Sequence, residues 1–421
     1  MNTKSATLPI PAPSSEKPRL VVLGTGFASF SLLKEIDTDL FAVTAISPRN
    51  YFLFTPLLPS TTVGTIEFRS IIEPVRKACP DIHYYQAACT GVDPTGRTIT
   101  CEPLSEKRRF TVAYDVIGIG AVSSTYGIPG VKEHALFLKD LGDARAIRQR
   151  IIERFEEAAS PAATDEERKR LLHFVVVGGG PTGVEFAAEM HDFLHEDLET
   201  FFPRLAPFVN ITLLEAMNQI LSAFDQTLST YTMRLFQRNR IRVRTGSFVT
   251  RVEDDKVILR DGSQIPCGLV VWSTGIGPTD LAAALPFPKD QTSRLLTDRY
   301  FLVSGTTDVY AMGDCATIEG VNLPATSQVA QQQGRYLARH LRRSIKRQTT
   351  RPFRYRHFGM LAYVGSNKAL ADLAAIKGKG FSTWLFWRSA YITKLVSLKN
   401  KMLVLFDWFK TFVFGRDISR F

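Results

Sequence analysis

Two glycine-rich turns of the kind that bind phosphate lie about 154 residues apart in the sequence. The first, GTGFAS at residues 24–29, follows the apolar run Leu20–Leu23, and the second, GGGPTG at residues 178–183, follows Phe174–Val177. Each has the order strand, tight turn, helix, which directs backbone N–H groups and a helix N-terminus at a pyrophosphate. Two such turns predict two bound dinucleotides. The simplest chemistry for that pair is hydride transfer from a nicotinamide to a flavin.

The two turns match the dinucleotide fingerprint to different degrees. In the first, Ser29 stands at the third glycine position, where a small residue still allows close packing of helix on strand. Alone, this turn is equally compatible with an ordinary strand–helix connection. The second turn is complete, and its next strand ends at Glu215, 32 residues after Gly183. A carboxylate there accepts both ribose hydroxyls, and Ala216–Asn218 offers no Lys or Arg for a 2′-phosphate, so the sequence favours NADH over NADPH. The alternative for Glu215 is a surface acid at a strand end.

The elements around the turns predict two strand–helix–strand units. In the first unit, strands over Leu20–Leu23 and Phe41–Ile46 flank a helix over Phe27–Ile36, and Tyr114–Ala121 returns to the same sheet. The other expected elements are a loop over Tyr51–Pro59, a helix over Ala144–Ala159, a polar linker over Ser160–Arg170, a strand over Phe174–Val177, a helix over Pro181–Phe202, a strand over Val209–Glu215, a hairpin-like run over Arg242–Leu259, and strands over Leu269–Gly275 and Asp308–Met312.

Charge is distributed unevenly along the chain. The net charge is +11, and Arg335–Arg356 contains nine Lys/Arg and no acid. Such a basic segment indicates an anionic partner. Nucleic acid is one candidate, but large aromatic residues crowd the end of the chain as well, so an anionic lipid surface fits better. No nucleic-acid partner is therefore expected.

The last forty residues combine aromatic and basic side chains. An apolar stripe recurs at helical spacing, formed by Leu395, Leu398, Met402, Leu405, Phe409 and Phe412. No run reaches the roughly 18–20 apolar residues that span a bilayer. The pattern predicts helices lying in a membrane interface, with a break near Asn400. The alternatives are a dimer interface or a core helix.

The five cysteines form no CxxC or CxxxxC pair. Zinc and iron–sulfur sites need such spacings, so no metal is expected. Scattered cysteines are typical of free thiols in a reducing compartment. The first 17 residues are rich in Pro and Ser, lack the apolar core of a secretory signal, and contain no arginine.

The predicted fold class is α/β, with two Rossmann-like dinucleotide-binding domains, the second inserted in the first, and a C-terminal membrane-associated helical region. A chain of 421 residues has room for these parts. The expected divisions are a flexible tail at 1–17, an FAD-binding domain at 18–145 and 290–345, an NADH-binding domain at 146–289, and a membrane-anchoring and dimerisation region at 346–421.

Three further groups of polar residues are candidates for chemistry. Glu185 and Glu189 share one face of the helix that opens at Pro181; Glu185 could reach the nicotinamide, whereas a solvated face is favoured for Glu189. Asp314 follows Gly313 at a strand end, where an acid can bond a ribityl hydroxyl of FAD. The glutamines after Ser327 could bind a quinone carbonyl, although by themselves they fit a solvated helix start equally well.

The chain resembles the alternative, single-subunit type II NADH:quinone oxidoreductases of mitochondria, from about Pro18 to Phe421. The stretches that carry the resemblance are SPRNYFLFTPLLP at 47–59, Gly178–Glu189, Ala311–Ala316, Gln328–Gln332 and FGRDISRF at 414–421. It implies non-covalent FAD, NADH as donor, ubiquinone as acceptor and no proton pumping. It also implies a homodimer attached peripherally to the mitochondrial inner membrane, or alternatively to the cytoplasmic face of a bacterial membrane.

The resemblance assigns roles to individual residues. It implies catalytic roles for Glu185, Gln328 and Gln332. The implied FAD contacts are Gly24, Gly26, Ser29, Ser47, Arg49, Thr55, Pro56, Gly120, Gly313 and Asp314. The implied NADH contacts are Gly178, Gly180, Gly183, Glu215 and Gly275. The implied quinone contacts are Ala325, Gln328, Gln331 and Gln332, in an AQxAxQ-type motif in which Ser327 replaces the usual alanine.

Other functions remain open on the residues alone. Disulfide reductases share the layout of two dinucleotide sites but need a redox cysteine pair, and Asn50–Pro59 contains no cysteine. A ferredoxin reductase or an apoptosis-factor-like flavoprotein fits the fold but does not account for the aromatic, basic C-terminus. A membrane-docked, nucleotide-sensing protein without turnover is the alternative from a different class.

Overall fold

The structure is a computed structural model that describes residues 8–9, 17–105, 108–119, 122–123, 127–277, 283–374 and 376–419. Its strands are β1 (Leu8–Pro9), β2 (Arg19–Leu23), β3 (Ala42–Ser47), β4 (Tyr51–Leu53), β5 (Ile72–Pro74), β6 (His83–Asp93), β7 (Thr98–Pro103), β8 (Phe110–Ala113), β9 (Val116–Ile119), β10 (Val122–Ser123), β11 (Leu136–Phe137), β12 (His173–Val177), β13 (Asn210–Leu214), β14 (Ile241–Arg244), β15 (Val249–Val252), β16 (Lys256–Leu259), β17 (Gln264–Pro266), β18 (Leu269–Trp272), β19 (Ile276–Gly277), β20 (Leu295–Thr297), β21 (Val309–Ala311), β22 (Ala316–Ile318), β23 (Met360–Gly365), β24 (Lys368–Asp372) and β25 (Lys377–Gly380).

The helices among the described residues follow the same chain order. They are α1 (Phe27–Glu35), α2 (Leu58–Thr62), α3 (Val75–Ala78), α4 (Val131–His134), α5 (Leu141–Ala159), α6 (Asp165–Leu171), α7 (Pro181–Phe193), α8 (Glu199–Phe201), α9 (Gln226–Arg238), α10 (Ser327–Ile345), α11 (Phe381–Lys394) and α12 (Leu398–Phe414). Short 3₁₀ turns cover Thr55–Leu57, Phe68–Ile71, Ala206–Phe208 and Gly313–Cys315, and a π-helical turn covers Leu194–Leu198.

The chain divides into two compact units, and the first comprises the residues up to Leu53, Glu73–Ser124 and Ile276–His357. Its main sheet has the strand order β1-β8-β7-β6-β3-β2-β9-β21. The five strands from β6 to β21 run parallel. Leu20–Leu23 are buried, as expected for a parallel strand covered on both faces. Strand β1 lies within the segment predicted to be a tail and pairs with β8.

Two helices pack closely in the first unit. A Cβ added to Gly334 of α10 would lie 2.1 Å from the carbonyl oxygen of Ala28 in α1, so only glycine allows this approach. The contact places the N-terminal half of α10 beside the helix that follows the first glycine turn.

The second unit comprises Phe54–Ile72, Thr125–Gly275 and Phe358–Phe421. Its main sheet is parallel, with the order β11-β18-β12-β13-β14. Helix α7 leaves the carboxyl end of β12 through the second glycine turn. Antiparallel sheets β15-β16-β17 and β23-β24-β25 complete the unit with α11 and α12.

Helix α12 turns a partly polar face inward. Asn400, Val404, Asp407 and Trp408 are its buried residues, at helical spacing. The Asn400 amide donates to the carbonyl oxygens of Ser70 and Ile72, at 2.8 and 2.9 Å. Asp407 accepts the Ser70 hydroxyl at 2.6 Å and a backbone N–H at 3.0 Å. These bonds fix α12 to the segment Phe54–Ile72.

The outer faces of α11 and α12 are apolar. Their exposed large apolar residues are Phe381, Leu385, Phe386, Leu398, Met402, Leu405, Phe406, Phe409, Phe412, Val413 and Phe414. Contiguous exposed apolar surface of this kind marks a protein or membrane contact. Within the described part of the chain, no helix has both the length and the apolar character needed to cross a membrane.

The predicted fold class is confirmed: two Rossmann-like dinucleotide-binding folds with a C-terminal helical region. The predicted domain limits stay a prediction. Several element predictions were wrong. Residues 51–59 form a strand, a 3₁₀ turn and the start of α2 instead of a loop. The linker predicted at 160–170 contains α6, whose Thr164 and Glu167 form a capping box.

Three further boundaries differ from the sequence predictions. The single helix predicted over 181–202 is three consecutive elements: α7, which ends at Phe193, the π-helical turn over Leu194–Leu198, and the short helix α8. In the hairpin-like run, Ile241–Arg244 pairs as the fifth parallel strand, and the hairpin itself joins β15 to β16. The C-terminal break falls at residues 395–397 rather than near Asn400, because the Ser397 hydroxyl accepts the Asn400 N–H and caps α12.

Candidate functional site

Three of the four glycines in the second glycine turn have three different surroundings. Gly178 has φ +117° and donates its N–H to the Leu214 carbonyl at 2.8 Å. Gly180 caps α7, and a Cβ there would meet nothing within 4 Å. A Cβ at Gly183 would lie 1.9 Å from the Gly178 carbonyl oxygen. A pyrophosphate-binding site requires these three features: a tight turn, an open approach to the helix N-terminus, and close packing of helix on strand.

Glu215 lies beside this turn, at the carboxyl end of β13. Its carboxylate accepts the Gly179 N–H at 2.6 Å and the Met217 N–H at 2.7 Å. These two bonds orient the carboxylate and leave lone pairs for further donors. Gly275, with φ +84°, follows the neighbouring strand β18 at the same sheet edge. The predicted NADH residues are therefore brought together in one unit.

Replacing Glu215 with glutamine is expected to raise the KM for NADH about tenfold, because ribose hydroxyls lose a charged acceptor. Discrimination against NADPH should also fall, since no carboxylate then repels a 2′-phosphate. Steady-state kinetics with both nucleotides measure this, and Glu253→Gln, at a half-buried ion pair with Lys256, is the matched control. An unchanged KM and NADH/NADPH ratio in Glu215→Gln would exclude Glu215 as a ribose ligand.

The first glycine turn repeats this geometry in the first unit. Gly24 has φ +89° and donates its N–H to the Ile46 carbonyl at 2.8 Å. Gly26 caps α1 and also has open space where a Cβ would project. Ser29 is buried and donates its hydroxyl to the Leu23 carbonyl at 3.2 Å. This bond to the strand end explains how serine takes the place of the third glycine.

The loop after β3 is held by a hydroxyl network. Ser47 is buried, its Oγ accepts the Arg49 N–H at 3.2 Å, and it lies 3.2 Å from Thr25 Oγ1. The Tyr84 hydroxyl lies 2.9 Å from the carbonyl oxygens of both Ser47 and Arg49. Burial raises the pKa of Tyr84 to about 12, so it remains a neutral donor. Ser47 therefore shapes the loop that presents Arg49 near the first turn.

Gly313 and Asp314 follow β21, which lies two strands from β2 in the same parallel sheet. The Gly313 N–H donates to the Gln333 side chain at 2.6 Å, so α10 supports this turn. The first-unit candidates in the described part of the chain thus lie at the carboxyl ends of β2, β3 and β21 in one parallel sheet, the edge at which α/β sheets bind ligands. The predicted contact Gly120 lies outside the described residues.

Thr55, Pro56 and Glu185 belong to the second unit. Thr55 and Pro56 form a 3₁₀ turn, next to the bond from the Phe54 N–H to the Ile71 carbonyl. Glu185 is buried and accepts the Tyr363 N–H at 3.0 Å. Burial raises its pKa to about 8. The solvated face expected for Glu189 is wrong, because Glu189 is also buried, under the segments 54–72 and 358–419.

The predicted quinone glutamines lie on α10 in the first unit. Gln332 exchanges two hydrogen bonds with the Arg356 backbone, at 2.8 and 3.0 Å. Gln328 accepts the Tyr355 hydroxyl at 2.9 Å. Gln331 is half-buried, and Ala325 is exposed before the helix. The amide of Gln332 is thus engaged with the chain itself, and the amide of Gln328 is held by Tyr355.

Comparisons with known families agree with this geometry. A family model described as pyridine nucleotide-disulphide oxidoreductase matches residues 18–334, and one described as the NDH2 C-terminal domain matches residues 357–417. A probable NADH dehydrogenase of Dictyostelium discoideum is 45% identical over 415 residues, covering 96% of this chain and 92% of that protein. The chain belongs to the type II NADH dehydrogenase family, the alternative NAD(P)H–ubiquinone oxidoreductases.

Two more members of the type II NADH dehydrogenase family show how far the likeness extends. The mitochondrial internal alternative NAD(P)H-ubiquinone oxidoreductase A1 of Solanum tuberosum is 41% identical over 442 residues, covering 97% of this chain and 89% of that protein. The structure of NDH2 from Plasmodium falciparum in complex with NADH has a TM-score of 0.91 at 27% identity, covering 96% of this chain and all of that one.

Thiol chemistry does not fit this type II NADH dehydrogenase. All five cysteines lie in the described part of the chain and are free. Burial raises the pKa of each thiol, to about 11 for Cys79 and Cys89 and to about 12 for Cys101, Cys267 and Cys315. A redox cysteine needs an accessible thiolate near neutral pH. This separates the chain from the disulfide reductases that share its fold.

Several residues that support the site were missed in the sequence. Tyr84 and Gln333 hold the loops at Ser47 and Gly313, and nothing local in the sequence distinguishes them. Asp407 could have been found from the sequence, because it is a lone acid within an apolar, aromatic helix, and such an acid indicates a buried partner. Arg416 could also have been found from the sequence, since it lies in the stretch FGRDISRF that carries the resemblance.

Proposed function

We propose that this type II NADH dehydrogenase oxidises NADH and reduces ubiquinone, with non-covalent FAD between the two substrates and without pumping protons. The observation that carries the proposal is the repeated turn geometry: each unit has an open helix N-terminus at the carboxyl edge of a parallel sheet. FAD, when bound, supplies a two-electron carrier between a hydride donor and a quinone.

The fit of the first unit to FAD rests on space and donors. The open face at Gly26 and the N-terminus of α1 suit a pyrophosphate. Arg49 follows β3 and Asp314 follows β21, at the carboxyl edge of the same parallel sheet, where they can bind the adenosine and ribityl parts. The residues proposed to hold FAD are Gly24, Gly26, Ser29, Ser47, Arg49, Thr55, Pro56, Gly120, Gly313 and Asp314.

NADH is proposed to bind the second unit. The open face at Gly180 and the N-terminus of α7 take the pyrophosphate, and Glu215 takes the adenosine ribose. A carboxylate at this position supports NADH as the nucleotide rather than NADPH. Gly178, Gly183 and Gly275 shape the turn, and Glu185 lies toward the nicotinamide.

The quinone is proposed to bind at the start of α10, at Ala325, Gln328, Gln331 and Gln332. An amide that donates and accepts can satisfy a quinone carbonyl in both redox states. Tyr355 bonds Gln328 and thereby orients its amide. Since Gln332 already holds the Arg356 backbone, its contribution is to position the helix.

The apolar outer faces of α11 and α12 are proposed to lie in a membrane surface. Phe409 and Phe412 are 62% and 88% exposed, which is costly in water and favourable among acyl chains. The basic segment Arg335–Arg356 suits anionic headgroups. The mitochondrial relative supports a mitochondrial location. Peripheral attachment to the inner membrane and a homodimer are proposed on the resemblance alone.

The purified holoenzyme in detergent is expected to show a flavin absorption band that NADH bleaches without oxygen and a short-chain quinone restores. An absorption spectrum recorded after each addition measures both steps. Bleaching without restoration would exclude quinone as the acceptor, and a flavin band that NADH leaves unchanged would favour a nucleotide-sensing protein. Absence of any flavin band would contradict the proposed FAD site.

A further inference from the structure

A buried polar network connects helix α7 to the end of the chain within the second unit. Glu189 is 5% exposed, and its carboxylate accepts the Ser60 hydroxyl at 2.5 Å and the Thr65 hydroxyl at 3.1 Å. Glu185 lies one turn earlier on the same helix face and is 6% exposed. Two carboxyl groups so close in the interior do not both ionise readily.

Arg416 reaches this network from the C-terminal tail. Its side chain is 7% exposed, and its Nε donates to the same Thr65 hydroxyl oxygen at 3.0 Å. Its Nη1 donates to the carboxylates of Asp197 at 2.7 Å and Glu196 at 2.8 Å. Thr65 therefore accepts from a cation and donates to Glu189, forming a continuous path from guanidinium to carboxylate.

The two glutamates differ in what surrounds them. Glu189 has two hydroxyl donors and the Arg416 charge, both of which favour its ionised form, while Glu185 accepts a backbone N–H from Tyr363. Burial raises the pKa of both groups; for Glu185 it reaches about 8, and the neighbouring Glu189 contributes to the rise. Glu189 is thus the member of the pair that ionises first.

We propose that Arg416 is a positioning residue that acts through Thr65 and Glu189 to keep Glu185 as the neutral acid. This inference rests on the proposed function, in which Glu185 lies toward the nicotinamide. The C-terminal tail, which the resemblance marks but to which it gives no role, then controls the charge of a group next to the hydride donor.

Other ionisable groups face the pair and belong in any account of its titration. Arg388 and Asp192 act on Glu189 through their charges, and Tyr363 lies close to both groups. Tyr391 faces Glu185. Arg388 is the second cation of the site, but its guanidinium stacks on the rings of Trp384 and Trp408, 4.0 and 4.5 Å from the ring centroids. Arg416 is the cation with a hydrogen-bonded path to Glu189.

The test is an infrared titration of the oxidised holoenzyme in detergent, without NADH. A protonated carboxyl group has its own carbonyl band, and Glu185→Gln identifies the band of Glu185 by removing it. In Glu189→Gln the midpoint of that band is expected to move to lower pH by about one unit, because the neighbouring negative charge is gone. Arg150→Gln, which removes an arginine from a half-buried pair with Glu153, should leave the midpoint unchanged.

Arg416→Gln should move the Glu185 midpoint in the same direction and add a second band that disappears in Arg416→Gln/Glu189→Gln. The reason is that Glu189, without its cation, now keeps its proton and Glu185 gives up its own first. Arg416→Lys keeps the charge and should retain the wild-type midpoint. Thr65→Val, which breaks the path at the hydroxyl, is a second variant should Arg416→Gln fold poorly, and a shift to lower pH is expected there too.

The rate of flavin reduction by NADH, measured by stopped flow across the same pH range, should shift in parallel with the band. A Glu185 midpoint that stays in place in Glu189→Gln, Arg416→Gln and Thr65→Val would overturn the inference. Wild-type enzyme whose flavin NADH fails to reduce would instead overturn the proposed function. The infrared result separates the two failures, because it does not depend on turnover.

Discussion

Replacing Phe409 and Phe412 together with glutamate is expected to release the protein from vesicles of anionic phospholipid. Both side chains project from the outer face of α12 and are more than half exposed. Each phenylalanine buried among acyl chains contributes about 1.5–3 kcal/mol, so losing both weakens partitioning by at least about 100-fold. The two new carboxylates are also repelled by the anionic headgroups.

Vesicle flotation measures this loss directly. Phe201→Glu is the matched control, since Phe201 is similarly exposed but belongs to α8 in the same unit rather than to α11 or α12. The rate with NADH and a short-chain quinone in detergent should stay within about twofold of wild type, because surface substitutions rarely cost more than about 0.5 kcal/mol. Flotation of the double variant at the wild-type level would exclude this face as the membrane contact.

Deleting everything from Phe381 onward would be a poorer experiment. The deletion also removes Asn400 and Asp407, which hold the segment Phe54–Ile72, and Arg416, which pairs with buried carboxylates. Leaving a buried charge without its partner typically costs 3–5 kcal/mol. A truncated enzyme would therefore lose stability together with membrane binding, and substitutions on the outer face separate the two.

The dinucleotide-binding folds were readable from the sequence because the signals are local. Two glycine turns, each between an apolar strand and a helix, predict two dinucleotide sites, and both turns have the geometry that such a site requires. The serine at the third glycine position, Ser29, did not obscure the fingerprint, since a small residue still allows helix α1 to pack closely on the strand. The helix α6 was readable as well, through the Thr164–Glu167 capping box, but the charged composition of the segment favoured a linker.

The surroundings of Glu189 could not be read in the same way. An acid pair at i, i+4 on a helix after a nucleotide turn is usually solvated, and only the layer formed by segments 54–72 and 358–419 makes it a buried pair. Those segments are more than a hundred residues from α7 in sequence. Pattern reasoning works within an element, whereas burial of a polar group depends on which distant segment covers it.

The C-terminal helix α12 is a second example of this limit of pattern reasoning, here for exposed apolar residues. The apolar stripe predicted over 395–412 exists, and apart from the buried Leu395 its members face outward. Val404 and Trp408 form the inner face together with Asn400 and Asp407. A helix that buries an amide and a carboxylate while exposing phenylalanines makes sense only if its outer side is not in water.

Gly183→Ala and Gly180→Ala are both expected to weaken NADH binding, but for different reasons, although the two glycines are only three residues apart. The Cβ of alanine at 183 would lie 1.9 Å from the Gly178 carbonyl oxygen and 2.5 Å from Ser273 Oγ. Backbone has to move to relieve this contact, so α7 separates from β12. Overpacking of this kind costs about 1–3 kcal/mol or more, and both thermal stability and NADH binding should fall.

At Gly180 the added methyl meets nothing within 4 Å, and the φ of −71° suits any residue. The melting temperature should therefore stay at the wild-type value. The methyl instead projects into the space through which a pyrophosphate approaches the N-terminus of α7. The KM for NADH is expected to rise at least about 100-fold, while the flavin content should be unchanged because the FAD pyrophosphate is proposed to bind the other glycine turn, at Gly24 and Gly26.

Thermal unfolding and NADH kinetics on both variants separate the two effects, and each variant serves as the control for the other. Gly180→Ala with a wild-type KM would mean that this helix N-terminus does not bind the nucleotide. Gly183→Ala with wild-type stability would mean that α7 can shift on β12 without cost. We expect Gly180→Ala to be stable but to bind NADH poorly, and Gly183→Ala to be unstable. This pattern distinguishes a glycine that is needed for ligand binding from one that is needed for packing.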